Sequence, residues 1–303
     1  MNADAAATPL RVLFISTWDE VCGIATYSAN LVGELRRAGN EVDVFALDRA
    51  GQVYMTRHER RLHMLRCVEA ARDADVVHVQ HEFGLFGLSP AESLRLTSLL
   101  LAGLRRLRKP VIVTFHSLPP SRSLATSRSR AGSWRERARM LLARGGWLAF
   151  VARHFWGRGR LRAVVHSALA RRLLGESGVP LARVDIIAHG VPPRRSGVDR
   201  AEARRILGYD DDTILLSQFG FVSAYKGVDS ALDALDRLPH NYRVAIVGGR
   251  HPASRDDPSF DNALAALRHT QRARVTGWVD LRTLELYHAA TDICIAPYRE
   301  AGL

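Results

Sequence analysis

Short β-branched runs recur along this chain with segments of helical spacing between them, and that alternation constrains the fold more than any other feature. The runs Arg11–Ile15, Glu41–Leu47, Val76–Gln80, Val111–Phe115, Ala163–His166 and Val184–Ala188 are too short and too β-branched for helices. Between them, segments such as Gly23–Arg37 and Ala91–Arg106 carry apolar residues at helical spacing. A strand followed by a helix before the next strand pairs in parallel, because the crossover needs a dozen or more residues. The sequence therefore predicts an α/β fold of parallel sheets covered by helices on both faces.

The stretch His189–Gly197 breaks the pattern with two prolines and two glycines and marks a domain boundary. The alternation then restarts with strands at Thr213–Gln218, Arg243–Val247, Arg274–Thr276 and Asp292–Pro297, and helices at Val228–Leu238, Asp261–Thr270 and Leu281–Ala290. We expect a loose Ala-rich tail over 1–9, a first doubly wound domain over 10–192 and a second over 193–303. The second pattern breaks off at Leu303, so the expectation is of a partial second domain in a truncated chain. A length of 303 residues suffices for two cores.

The net charge of +12 is carried almost wholly by Arg. Arg122 to Arg162 holds eleven arginines and one acid, Glu136. No helix-turn-helix, zinc-finger spacing or aromatic platform accompanies that charge, which argues against a nucleic-acid partner. Trp134, Ala138, Leu141, Leu148, Ala152 and Phe155 fall at helical spacing, with Arg135, Arg139, Arg144 and Arg153 largely off the stripe. An interfacial helix on an anionic membrane has this pattern, and so does a helix packed on the protein's own sheet. No apolar run approaches the roughly 18 residues of a membrane span, and Met1 to Pro9, Ala-rich with no basic start or long apolar stretch, is expected to be a loose tail rather than a signal peptide. Cys22, Cys67 and Cys294 lack metal-ligand spacing and fit free thiols in a reducing compartment. The expected location is cytoplasmic, with peripheral membrane contact through the basic segment.

Lys226 is one of only two lysines, and it stands between an expected strand and an expected helix. A flexible ammonium there is a point-charge partner for phosphate. In the first half, Gly23-Ile24-Ala25-Thr26 opens a helix whose unpaired N–H groups and positive dipole end suit a diphosphate. His81-Glu82 and His116 lie at strand ends on the edge that binds ligands in open α/β folds, whereas His78, inside its strand, reads as structural.

Taken in order, Gly23-Ile24, His81-Glu82-Phe83-Gly84, Thr114-Phe115-His116, His189-Gly190-Val191, Tyr225-Lys226-Gly227, Val247-Gly248-Gly249, Gly277-Trp278-Val279 and Ala290–Pro297 resemble the GT-B glycosyltransferases of family 4, the group 1 glycosyltransferases. The resemblance runs from about residue 10 to the end. It implies two facing Rossmann-like domains with a nucleotide-sugar between them, and retaining transfer to a glycan or lipid-linked acceptor with neither metal nor cofactor. It implies that Lys226 and Gly227 bind the donor diphosphate, with Gly23, Ile24 and Gly248 beside it and Gly277, Trp278 and Val279 bordering the base. His116 would lie by the donor sugar, His81 and Glu82 on the acceptor side, and Glu300 would be the first carboxylate of a Glu-x7-Glu pair.

Three departures stand out. Phe221 occupies the region where the family commonly has a second cation, Cys22-Gly23 replaces a glycine pair, and the chain stops before the second carboxylate. An inert binding or scaffold protein is the alternative from another class. A sugar-nucleotide epimerase fits the spacing around Lys226 and Glu300 less well. The sugar, the base and the acceptor are not fixed by the sequence.

Overall fold

The computed structural model describes residues 8–20, 22–47, 51–118, 134–156, 160–191, 197–250, 258–267 and 271–299, with 134–143 described by backbone alone. Glu300 and the basic stretch 119–133 lie outside the described residues. The chain divides into two compact units between Pro192 and Pro193.

The first unit is a six-stranded parallel sheet of β1 (Arg11–Ser16), β2 (Glu41–Ala46), β3 (Val76–His81), β4 (Val111–Phe115), β5 (Leu161–Val165) and β6 (Val184–Ile186), in the order β2-β1-β3-β4-β5-β6. Its helices are α1 (Gly23–Arg37), α2 (Arg57–Ala70), α3 (Phe83–Phe86), α4 (Pro90–Arg106), α5 (Trp134–His154) and α6 (Ala168–Glu176). Strand alternation sorts residues between two faces. Leu13 and Ile15 of β1 enter the large core with Leu100 and Leu104 of α4, while Val12 and Phe14 meet Val32 of α1 on the other side.

Helix α5 corrects the expected apolar stripe. Leu148 is 44% exposed and Ala152 is exposed, whereas Trp147, Phe150, Val151 and Phe155 are buried in the large core. Of the stripe residues with described side chains, only Phe155 packs inward. The aromatic rings remove more apolar area from water than Leu148 and Ala152 would, so they set the rotation of the helix. Among the described residues no helix is long and apolar enough to cross a membrane.

The second unit is a four-stranded parallel sheet of β7 (Ile214–Phe219), β8 (Tyr242–Val247), β9 (Ala273–Val275) and β10 (Ile293–Cys294), in the order β10-β7-β8-β9. It is flanked by α7 (Arg200–Leu207), α8 (Val228–Leu235), α9 (Ser259–Leu267) and α10 (Leu281–Ala290). Val244 and Ile246 of β8 face one core, Ala245 and Val247 the other. Arg204 of α7 is 3% exposed. Its guanidinium donates to the carbonyls of Ala290, Asp210, Asp211 and Thr213 and pairs with Asp292. One side chain thus ties α7 to the end of α10 and the start of β7.

Candidate functional site

Strand order reverses between β1 and β3 in the first unit and between β7 and β10 in the second. Open parallel sheets bind ligands where the order reverses, at the C-terminal strand ends. Each unit gathers a cluster of chemistry-bearing residues there.

In the first unit, β3 sends Val77 and Val79 into the core and His78 and Gln80 to the opposite face. Thr114 Oγ1 lies 2.8 Å from His78 Nε2, Gln80 Nε2 lies 3.1 Å from the same nitrogen, and Gln80 Oε1 lies 2.7 Å from His116 Nε2. The amide oxygen can only accept, so His116 carries its proton on Nε2 and leaves Nδ1 as an acceptor. The amide nitrogen donates to His78, which therefore carries its proton on Nδ1.

Tyr27 of α1 packs edge-on against His116, His166 and His189, with ring centroids 5.1, 5.4 and 4.8 Å away. His166 Nδ1 donates to the Ile187 carbonyl at 2.9 Å, and its buried Nε2 has no hydrogen-bond partner among the described residues. The cluster therefore offers imidazole lone pairs suited to accept from hydroxyl groups. Burial, then the neighbouring imidazoles, pushes His116 down to about 3, and burial lowers His166 as well. Both rings are neutral near pH 7.

His81, expected on the acceptor side, is instead fully buried. Its ring stacks 5.4 Å from Phe86 and lies 5.1 Å from Phe115, and neither ring nitrogen has a hydrogen-bond partner among the described residues. Strand parity puts it on the same face as Val77 and Val79. Glu82 caps α3, its carboxylate accepting from Gly84 N–H at 2.9 Å. Ile24 turns its side chain toward the large core, so only its backbone faces the loop, and a Cβ on Gly23 would meet none of the described atoms within 4 Å.

Burial holds His78 and His81 down to about 4. These folded values lie below the ordinary imidazole value of about 6.5. The unfolded chain therefore binds more protons below about pH 6.5, and the stability is fully present above that value and lost as pH falls toward 4. Each group contributes a slope of at most about 1.4 kcal/mol per pH unit. We expect the melting temperature to drop by several degrees between about pH 7.5 and 5.5. Calorimetric scans that superimpose at the two pH values would refute the buried neutral state.

In the second unit, Lys226 ends a tight turn after β7, and Gly227, at φ +66°, caps α8. The ammonium is half-buried and burial lowers its pKa. Its hydrogen bond among the described residues is a long one, 3.4 Å to the Phe219 carbonyl. The rings of Tyr225 and Tyr298 stand 6.0 and 5.6 Å away, at cation–π range. Tyr298 follows β10, so the charge sits across the switch point. A Cβ on Gly227 would lie 2.1 Å from the Pro297 carbonyl oxygen, and one on Gly248 would lie 1.9 Å from that of Gly220. Gly248→Ala is therefore expected to part the ends of β7 and β8, at a cost of about 1–3 kcal/mol. Chemical denaturation reads that loss, and an unchanged midpoint would contradict the close approach.

Trp278 is 55% exposed and stands edge-on to Phe221 at 4.9 Å, while Gly277 takes φ +71°. Val279 packs against the core formed with Leu215 and Tyr287. Arg299 donates its backbone N–H to the Tyr225 carbonyl and pairs its side chain with Asp229. Among the described residues no group of three or more His, Cys, Asp or Glu is placed to hold a metal ion.

The sequence reading did not single out Tyr27, Gln80, His166 or His189 as site residues. The usable signal was the dipeptide His-Ser, which closes both β4 (His116-Ser117) and β5 (His166-Ser167).

The profile of Glycosyltransferase Family 4 matches residues 21–195. No curated protein matches the sequence. Among solved structures, the chain is similar to sucrose-phosphate synthase from Thermosynechococcus elongatus (TM-score 0.69, 16% identity, 97% of this chain and 77% of that one). It is also similar to HepE from Anabaena in complex with UDP-glucose (0.65, 14%, 97% and 75%). A third is the catalytic domain of starch synthase IV from Arabidopsis thaliana bound to ADP and acarbose (0.57, 14%, 96% and 79%). At these identities the likeness is one of fold, the GT-B arrangement of parallel sheets flanked by helices.

Proposed function

Because the chain belongs to Glycosyltransferase Family 4, whose profile matches more than half of its length, we propose that it moves a sugar from a nucleoside-diphosphate sugar to a glycan or lipid-linked acceptor, with retention at the anomeric carbon. One observation carries the donor half of this reading. A half-buried ammonium without a salt bridge among the described residues stands at a switch point, beside the N-terminus of α8. Burying a charge without a partner is costly, and a diphosphate supplies the partner. The growing charge on the leaving diphosphate would be held by Lys226 and the N–H groups of α8, without a divalent cation.

Neutral His116 and His166 suit sugar hydroxyls, and the exposed edge of Trp278 suits a base. HepE was solved with UDP-glucose and starch synthase IV with ADP, so the test spans both bases. A thermal-shift panel of UDP-, ADP- and GDP-sugars is expected to raise the melting temperature for one nucleotide class, and the shift should vanish in Lys226→Ala. No shift with any of them, in a folded protein, would favour a catalytically inert binding protein.

A further inference from the structure

At the opposite, N-terminal edge of the six-stranded sheet lie two adjoining cavities of about 730 and 660 Å³. Arg105, Arg106, Arg108, Arg153 and Trp156 line the first. The second shares Arg105 and Arg108, adds Lys109 and Arg160, and is floored by Val111 and Leu161, the first residues of β4 and β5. Among the described residues no acidic side chain lines either one. The five arginines are all exposed, and none forms a salt bridge among the described residues. Lys109 is committed to the carbonyls of Arg72 and Ala74, at 2.6 Å each.

Part of this charge offsets the two helix ends. Arg105 and Arg106 sit in the last turn of α4, and Arg153 in that of α5, where cations offset the helix dipole. Two helix ends supply about one unit of negative charge between them, against five guanidinium groups. The dipoles also leave Arg108 and Arg160, which lie beyond the helices, without a reason. Arg108 moreover holds φ at +55°, a conformation that favours glycine. That conformation closes α4, with Arg108 N–H donating to the Arg105 carbonyl and Lys109 N–H to that of Leu104, and glycine would hold it at lower cost than arginine.

We propose that this groove is a binding site for a ligand bearing two or more phosphate groups, separate from the imidazole cluster and from Lys226. Guanidinium groups bind phosphate oxygens in pairs, and several around one cavity match several phosphates. Trp156, 69% exposed and anchored by its Nε1 donating to the Gly178 carbonyl at 2.9 Å, offers an apolar wall for the ligand's carbon portion. The β4 strand, about 16 Å long at five residues, separates this edge from the imidazole cluster, so both sites can be filled together.

Inorganic tripolyphosphate is the probe, titrated calorimetrically at low salt into the Lys226→Ala protein, which removes the other cationic site. Binding is expected there, and it should weaken by on the order of a hundredfold in the added triple variant Arg105→Ser, Arg153→Ser, Arg160→Ser. Arg108→Gly, which relieves the positive φ and should not lower the melting temperature, is expected to weaken binding by about tenfold. In a second arm, phosphatidylcholine vesicles with and without cardiolipin, whose headgroup carries two phosphates, are sedimented with the protein. Arginine-dependent binding of both probes assigns the site to a phospholipid headgroup, and binding of tripolyphosphate alone assigns it to a soluble ligand. No tripolyphosphate binding, or binding that both arginine variants retain, would overturn the site, as would vesicle binding without tripolyphosphate binding.

Discussion

Lys226→Ala is expected to lower turnover on the order of a hundredfold, the usual cost of removing one preorganised donor to a developing anion. Fold stability should not follow. Among the described residues the ammonium makes one long hydrogen bond, at 3.4 Å, and it is already penalised by burial, so without ligand the variant should melt no lower than the parent. The two readouts separate a binding group from a structural one. A variant that melts several degrees lower, or one that turns over at the parental rate, would remove Lys226 from the diphosphate. Lys226→Arg keeps the charge but puts a broad planar fork where Gly220 and two tyrosine rings leave room for a compact ammonium, because a Cβ on Gly220 would already lie 2.5 Å from Nζ. It should recover donor binding only in part.

Arg204→Met is expected to cost about 3–5 kcal/mol of the second unit's stability, the range for removing one member of a buried ion pair. The loss leaves the carbonyls of Ala290, Asp210, Asp211 and Thr213 without this donor. Asp292 would keep Leu215 N–H at 2.7 Å and Arg200, but its charge would face an apolar side chain where the guanidinium stood. The two units need not unfold together, so hydrogen exchange is the suitable measurement. Protection should fall in β7 and α10 and hold in β1 to β6. Adding Asp292→Asn should give a double variant whose loss is smaller than the sum of the two single losses, since the stranded charge is then gone. Strict additivity would show that the pair is not coupled.

Most of the strands were legible because β-branched runs bounded by turn residues allow few other readings. Helix α2 was harder to see, since Arg57–Ala70 is mostly polar. Its signal was local instead, the capping box in which Thr56 and Glu59 exchange hydrogen bonds. The site was less legible than the fold. Lys226 stood out by its rarity, but the tyrosine ring beside it comes from Tyr298, far along the chain. His81 shows what a motif hides: it sits at a strand end, which suggests a ligand, yet counting by twos from Val77 and Val79 puts it in the core. The phase of α5 failed for a similar reason, because Leu148 and Trp147 are neighbours in sequence and only one can point inward.

Strand β3 carries Val77 and Val79 on one face and the hydrogen-bonded His78 and Gln80 on the other. A shift of a single residue would exchange the two sets, burying the amide and stranding a valine among the imidazoles. An evolving sequence therefore cannot move this polar relay along the strand by small steps. It can alter the groups that meet the relay, such as Tyr27 and His189, and the diversification of substrate preference on this scaffold should be found in those surrounding loops and helix ends while the strand itself stays fixed.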